Sequence, residues 1–110
     1  MIEQELYQSQ TQSTQLILNK TQEIICGKWR LNIIYKLINQ DLRYGELRRL
    51  IPEVSEKVLI QELKALVHLG VLFKTVHAEV PPRVEYGLTE KTRTLLPLFL
   101  QLRSIGETFM

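Results

Sequence analysis

The spacing of hydrophobic residues divides the chain into a helical first part and a short β segment near its end. Between residues 15 and 69, hydrophobic side chains recur at intervals of three and four, which is the period of an amphipathic helix. Gly27, Pro52 and Gly70 are expected to end the first, third and fourth helices. The pattern therefore predicts four helices, at about 15–26, 28–39, 44–51 and 55–69.

After Gly70 the pattern changes to one that is typical of β-strands. Residues 71–77 and 83–88 are rich in β-branched and aromatic side chains, which favours two strands. The segment between them contains two adjacent prolines and suits a hairpin tip, because proline has no backbone N–H to donate to a neighbouring strand. Thr89 is expected to cap a last, strongly hydrophobic helix, which Pro97 should kink.

The order of these elements predicts a mainly α fold with a small β-hairpin (α+β), arranged as a winged helix-turn-helix. A length of 110 residues suits one domain, at 15–110. Residues 1–14 are rich in Gln, Ser and Thr, so we expect a flexible or frayed segment there. In a winged helix-turn-helix the second helix of the pair, here about 55–69, enters the major groove of DNA. The wing, about 74–86, reaches the flanking backbone or the minor groove.

Charge and hydropathy narrow the class of protein. The net charge is only +2, but 12 of the 14 Lys and Arg residues lie within residues 28–93, where a phosphate-facing surface needs them. No stretch approaches the roughly 20 apolar residues of a membrane span, and the N-terminus lacks the order of a secretory signal. We therefore expect a cytoplasmic protein with no membrane partner.

The chain offers little material for catalysis or metal binding. It has a single cysteine, Cys26, and two histidines, from which no multi-ligand metal site and no nucleophile–base pair can be assembled. We expect no cofactor and no enzymatic activity. Cys26 follows Ile24 and Ile25, so we expect a buried, inert thiol, with a redox-sensitive thiol as the alternative.

Polar residues on the fourth helix are the sharpest candidates for DNA contact. Lys57, Gln61, Lys64 and His68 are spaced by four, three and four residues, so they share one face of the helix. Glutamine can form two hydrogen bonds with adenine, and lysine can reach guanine or a phosphate. The further candidates, at the helix cap, the short helix and the wing, are Ser55, Arg43, Tyr44, Arg48, Lys74 and Arg83. A merely solvated polar face is the alternative, and either Arg48 or Arg49 is expected to serve only solubility or an ion pair.

The last helix is too hydrophobic for a helix with one solvated side. One of its faces can pack on its own domain, and the other needs a partner, for which a two-fold dimer is the simplest arrangement. The first helix also has two apolar sides and is expected to join this interface. The residues assigned to the dimer interface are Leu16, Leu95, Leu98, Phe99, Leu102 and Ile105.

Five segments of the chain resemble a known family in one register. They are GKWRLNII (27–34), LRYGELRRLIP (42–52), VSEKVLIQEL (54–63), HLGVL (68–72) and VPPRVEYGLT (80–89). They are similar to the HxlR-type family of bacterial winged helix-turn-helix regulators, which are relatives of the MarR-like repressors. The resemblance implies a homodimeric transcription factor that contacts DNA through Ser55, Lys57, Gln61 and Lys64, with Arg83 on the wing. Leu16 stands where some members carry an oxidant-sensing cysteine.

We expect a regulator that binds a pseudo-palindromic site in double-stranded DNA as a homodimer and is nucleoid-associated when bound. One alternative is a sensor gated by an unknown small-molecule effector in a pocket at the dimer interface, or by oxidation of Cys26. The other alternative is a winged helix that binds proteins rather than DNA.

Overall fold

The computed structural model describes residues 12–110, which form six helices and three strands. In chain order they are α1 (Gln12–Ile25), α2 (Arg30–Lys36), β1 (Leu42–Arg43), α3 (Tyr44–Leu50), α4 (Glu56–His68), β2 (Leu72–His77), β3 (Arg83–Leu88), α5 (Glu90–Arg93) and α6 (Leu96–Thr108). Of the segment 1–14 that was predicted to be flexible or frayed, residues 1–11 lie outside the described residues. Residues 12–14 already belong to α1. Within the described part, no helix is both long and apolar enough to cross a membrane.

The core is formed where α2, α3 and α4 meet the sheet. α4 buries three leucines at the predicted helical spacing, and α2 buries Ile33 and Ile34. Burial of these side chains is the main favourable contribution to folding, at about 25 cal/mol per Å² of apolar surface. The fully or nearly fully buried side chains are Ile33, Ile34, Leu37, Leu42, Leu47, Ile51, Val54, Leu59, Leu63, Leu66, Val71, Leu72, Leu88 and Phe99.

The sheet has one strand more than the predicted hairpin. Its order is β1-β3-β2, and both pairings are antiparallel. β1 is only two residues long and pairs Leu42 with Tyr86. Gly87 lies next to this strand, because a Cβ atom at that position would stand 2.3 Å from Asp41 Oδ1, a side-chain atom in the segment that leads into β1. The wing therefore rests on the segment that precedes α3.

The end of the chain differs from the prediction of one helix kinked at Pro97. Two separate helices are present, α5 and α6, with a turn at Thr94 and Leu95 between them. Pro97 is the second residue of α6, a position where a backbone N–H has no partner within the helix. The proline therefore helps to start a new helix.

Two threonines attach α5 to the segment that precedes β2. Thr89 caps the helix as predicted, and its hydroxyl donates to the Gly70 carbonyl at 2.8 Å. Thr92 is buried, and its Oγ1 donates to the Val71 carbonyl at 2.7 Å. The buried Thr92 hydroxyl therefore has a hydrogen-bond partner inside the core, and this bond holds α5 in place.

Replacing Thr92 with valine is expected to lower the free energy of unfolding by about 1 kcal/mol. Valine keeps the shape of the side chain but removes the hydrogen bond to Val71. Urea unfolding at a fixed protein concentration measures the effect. The matched control is Thr94→Val, because the Thr94 hydroxyl bonds to Lys91 at the surface, and equal losses in the two variants would contradict the assigned role of Thr92.

Candidate DNA-binding surface

The exposed face of α4 carries the predicted polar stripe. Lys57, Gln61 and Lys64 are all exposed, whereas Leu59 and Leu63 on the opposite face are buried. Ser55 caps the helix as predicted, because its Oγ accepts the Val58 N–H at 3.2 Å. The second helix of the helix pair therefore presents long polar side chains to solvent from a rigid, well-packed base.

The turn between α3 and α4 is held by Arg48. Its Nη1 donates to the main-chain carbonyl of Val54, whose own side chain is buried. Arg48 was predicted to lie near a phosphate, but the structure places its guanidinium against this turn. The neighbouring Arg49 is exposed. Arg48 thus contributes to the angle between the two helices rather than presenting a free cation.

The start of α3 combines one exposed cation with an inward-facing tyrosine. Arg43 is exposed, and its main-chain N–H donates to Glu46 Oε1 at 2.9 Å, which caps the helix. Tyr44 is half-buried, and its hydroxyl oxygen is shielded from solvent. Burial raises the pKa of the Tyr44 hydroxyl above its ordinary value, and the negative charge of Glu56 adds to the shift. Tyr44 therefore packs beside the first turn of α4.

The wing carries a cluster of charges that the sequence reasoning did not identify. Arg83 Nη2 lies 3.5 Å from Glu79 Oε1, and Arg83 Nε lies 3.2 Å from Glu85 Oε1. His77 Nε2 lies 3.5 Å from the same Glu85 oxygen. Arg83 is therefore held by two carboxylates, whereas Lys74 is exposed on β2. Glu79 stands four residues before Arg83 and Glu85 two residues after it, and this spacing could have indicated the two ion pairs.

A cleft of about 450 Å³ separates the wing tip from the start of α3. Arg43 and Tyr44 line one side of it, and Pro81, Pro82 and Arg83 line the other. Two of the predicted DNA-contacting arginines, Arg43 and Arg83, are thus brought to one cleft beside α3, although they are 40 residues apart in the sequence. At the tip itself, the side chain of Val80 is fully exposed.

The terminal helices α1 and α6 form an apolar groove of about 610 Å³. Leu98 and Ile105 line it and are 59% and 58% exposed, and Leu16 on α1 is 68% exposed. Phe99 differs from its assignment to the dimer interface, because it is only 5% exposed and belongs to the core of its own protomer. The residues that line the groove are Thr21, Ile24, Ile25, Leu95, Leu98, Phe99, Gln101, Leu102, Ser104 and Ile105.

Cys26 is exposed, so the prediction of a buried thiol is wrong. α1 ends at Ile25, and Cys26 continues its hydrogen-bonding pattern by donating its N–H to Gln22 at 2.8 Å. The side chain of Cys26 therefore points about 100° around the helix from that of Ile25. Gly27, with a φ of +107°, then ends the helical turn. No group of three or more potential metal ligands occurs in residues 12–110.

A helix pair with a polar second helix, followed by an antiparallel hairpin on the same core, defines a winged helix-turn-helix protein. The chain belongs to the HxlR-like helix-turn-helix family, whose model matches residues 24–110. This match confirms the family resemblance, and the fold agrees with it.

The relatives are helix-turn-helix transcriptional regulators. YdeP of Bacillus subtilis (strain 168), named as an HTH-type transcriptional regulator, is 40% identical over 89 residues, which cover 81% of this chain and 70% of YdeP. A MarR-family regulator from Porphyromonas gingivalis W83 is 44% identical with a TM-score of 0.73, covering 82% of this chain and 88% of that one. The oxidized form of the redox regulator HypR is 37% identical with a TM-score of 0.76, and the match covers 83% of this chain and 94% of that one. The chain is thus a member of a family of transcriptional regulators.

Proposed function

We propose that the protein is a sequence-specific transcriptional regulator that binds a pseudo-palindromic site in double-stranded DNA as a homodimer. α4 enters the major groove, and the wing lies on the flanking backbone or minor groove. The exposed stripe of Lys57, Gln61 and Lys64 on α4 carries this proposal. The two lysines supply phosphate or guanine contacts, and Gln61 supplies an amide that can form two hydrogen bonds with adenine.

The surface around α4 supports the same orientation toward DNA. Arg43 is exposed at the start of α3, and Lys74 is exposed on β2. Arg83 is held near the wing tip by Glu79 and Glu85, so it contacts a phosphate only by exchanging at least one carboxylate partner. We therefore assign most of the phosphate affinity to Arg43, Lys57, Lys64 and Lys74 rather than to the wing arginine.

Selection of bound sequences from a random pool of DNA duplexes tests the proposal. We expect an inverted repeat whose half-site centres lie about 34–36 Å apart, and an affinity that falls steeply with salt. Absence of salt-sensitive binding to every duplex would contradict the proposal and would favour the winged helix as a protein-binding module.

Replacing Gln61 with alanine is expected to relax the preference at one base pair of each half-site. The loss of discrimination should be about 1–3 kcal/mol, because the two hydrogen bonds to that base disappear while the phosphate contacts remain. Competition between selected duplexes and single-base variants measures the effect. Gln40→Ala, which removes an exposed amide in the loop before β1, is the matched control and should leave every preference unchanged.

A second copy of the chain is the occupant that we propose for the groove between α1 and α6. Leu98 and Ile105 expose apolar surface in the groove, and Leu16 exposes more of it elsewhere on α1. Contiguous apolar patches of this kind mark interaction sites. A two-fold arrangement lets each protomer cover the same surface on the other, with a small apolar effector as the competing occupant.

Redox gating through Cys26 is a second candidate function, favoured by the exposure of the thiol at the junction of α1 and α2. An oxidant reaches an exposed thiol directly, and modification at this junction would change how α1 leaves the domain. Under this function, diamide with added glutathione converts Cys26 to a mixed disulfide, and the two electrons and two protons of the thiols pass to diamide. This modification lowers the DNA affinity of the wild-type protein and leaves Cys26→Ser unaffected. Equal responses of the two proteins would contradict it.

A further inference from the structure

Arg30 connects three helices of the domain. It is the first residue of α2, and its Nε lies 2.5 Å from Glu62 Oε2 on α4. Its Nη1 donates to the main-chain carbonyl of Glu23 in the last turn of α1. The side chains of Arg30 and Glu62 are only 19% and 23% exposed. One guanidinium therefore joins the end of α1 to the middle of α4.

The chemistry of this contact suits a rigid link. A guanidinium presents its N–H groups in a planar fork, so it can address a carboxylate and a carbonyl at the same time. The Glu23 carbonyl is among the last four of α1, which have no partner within the helix and lie at its negative end. The stem of Arg30 also lies against Gly27, with its carbons 3.8 Å from where a Cβ of residue 27 would stand. Arg30 thus fills the corner in which α1 turns into α2.

Glu62 connects this link to the surface that faces DNA. It directly follows Gln61 and lies on the flank of α4, between the buried face with Leu59 and Leu63 and the exposed face. A hydrogen-bonded ion pair on this flank opposes rotation and sideways movement of the helix. α1, in turn, packs against the core through Ile24 and Ile25 near its end.

We propose that Arg30 is a positioning residue that couples the terminal helix α1 to the recognition helix α4 and thereby fixes the spacing between the two half-sites. The inference rests on the proposed function, in which α1 lies in the dimer interface and α4 in the major groove. One base pair of extra spacing moves a half-site by about 3.4 Å and rotates it by roughly 35°. A dimer with rigidly coupled helices discriminates against such a change, and a loosened one tolerates it.

The test compares the half-site spacing selected by variants from the same random pool of DNA duplexes. The wild-type protein should select a single spacing. Arg30→Gln keeps an N–H donor where Arg30 Nε stands but removes the positive charge and the contact to the Glu23 carbonyl, so it should select a spread of spacings. Arg30→Lys keeps a cation beside Glu62 but lacks the fork that reaches Glu23, so it should also broaden the spacing while keeping its affinity for random DNA. Lys36→Gln removes an exposed positive charge from the same helix and should behave as wild type.

Each outcome bears on one claim. If wild type selects no inverted repeat, the proposed function fails. If wild type selects one spacing and Arg30→Gln retains it, only the role of Arg30 fails. If Arg30→Gln loses affinity and the double variant Arg30→Gln/Glu62→Gln regains it at the wild-type spacing, Arg30 merely neutralises Glu62, which also overturns the inference. Circular dichroism and thermal unfolding of every variant ensure that folded proteins are compared.

Discussion

Replacing Leu98 with glutamate is expected to convert the proposed dimer into a monomer and to lower its affinity for a selected inverted repeat by at least about 100-fold. Leu98 lies on α6 at the edge of the apolar groove and is 59% exposed in the single protomer, so the substitution leaves the protomer's own core intact. In a dimer the new carboxylate would be buried without a partner, which costs several kcal/mol per charge. A monomer also loses the benefit of a second half-site held nearby.

Analytical ultracentrifugation and DNA binding of the same samples measure the two effects of this substitution. Leu100→Glu is the matched control, because Leu100 is exposed on the same helix but does not line the groove. We expect Leu100→Glu to remain dimeric and to bind DNA. A dimeric Leu98→Glu protein would show that the second copy covers another surface.

The helices were predictable because their burial follows a local pattern. α4 buries Leu59, Leu63 and Leu66 at the spacing that the sequence displays, and Ser55 caps it with a hydrogen bond within its own first turn. Interactions of this kind depend on residues three or four positions apart. The wing was predictable for a similar reason. Its two strands follow one another in the chain, are rich in β-branched and aromatic residues, and are separated by a short segment that contains two prolines.

The elements that were missed depend on contacts between distant parts of the chain. β1 exists because Leu42 pairs with Tyr86, and two residues alone carry no periodic signal. The break between α5 and α6 also depends on a distant contact. The hydrogen bond from Thr92 to the Val71 carbonyl fixes α5, and Pro97 then starts a new helix. Tertiary hydrogen bonds decided both features.

The exposure of the candidate residues was predicted better than the contacts that they make. Lys57 and Gln61 are exposed as expected, because the face of a helix follows from spacing. Arg48 instead donates to a main-chain carbonyl, which no side-chain pattern reveals. The contact between Arg30 and Glu62 joins residues 32 positions apart and required the packing of α2 against α4.

The exposure of Cys26 shows the same limit at a helix end. Its neighbours Ile24 and Ile25 are half-buried, and their proximity in the sequence suggested a buried thiol. Cys26 still donates its N–H to Gln22, so one more residue of helical rotation, about 100°, carries its side chain off the half-buried face before the left-handed Gly27 ends the helix. Sequence indicates where a helix stops more reliably than where the first residue beyond it points.

Replacing both Lys57 and Lys64 with glutamine is expected to have the largest effect on salt dependence. If each lysine contacts one phosphate, a dimer loses four contacts, and the slope of log affinity against log salt becomes shallower by about 3.6. Glutamine keeps side-chain length and helix propensity similar, so the loss is one of charge. The affinity ratio of wild type to variant should consequently fall by roughly 100-fold between about 50 mM and 200 mM salt.

Titrations of one selected duplex and one random duplex at several salt concentrations measure this change. Because phosphate contacts are independent of sequence, both duplexes should show the same loss of slope, whereas Gln61→Ala should alter only the difference between them. The control is Lys36→Gln/Lys91→Gln, which removes two exposed charges on α2 and α5 and so changes the net charge equally. An unchanged slope in the Lys57/Lys64 variant, or an equal loss in the control, would show that the exposed face of α4 does not lie on the phosphate backbone.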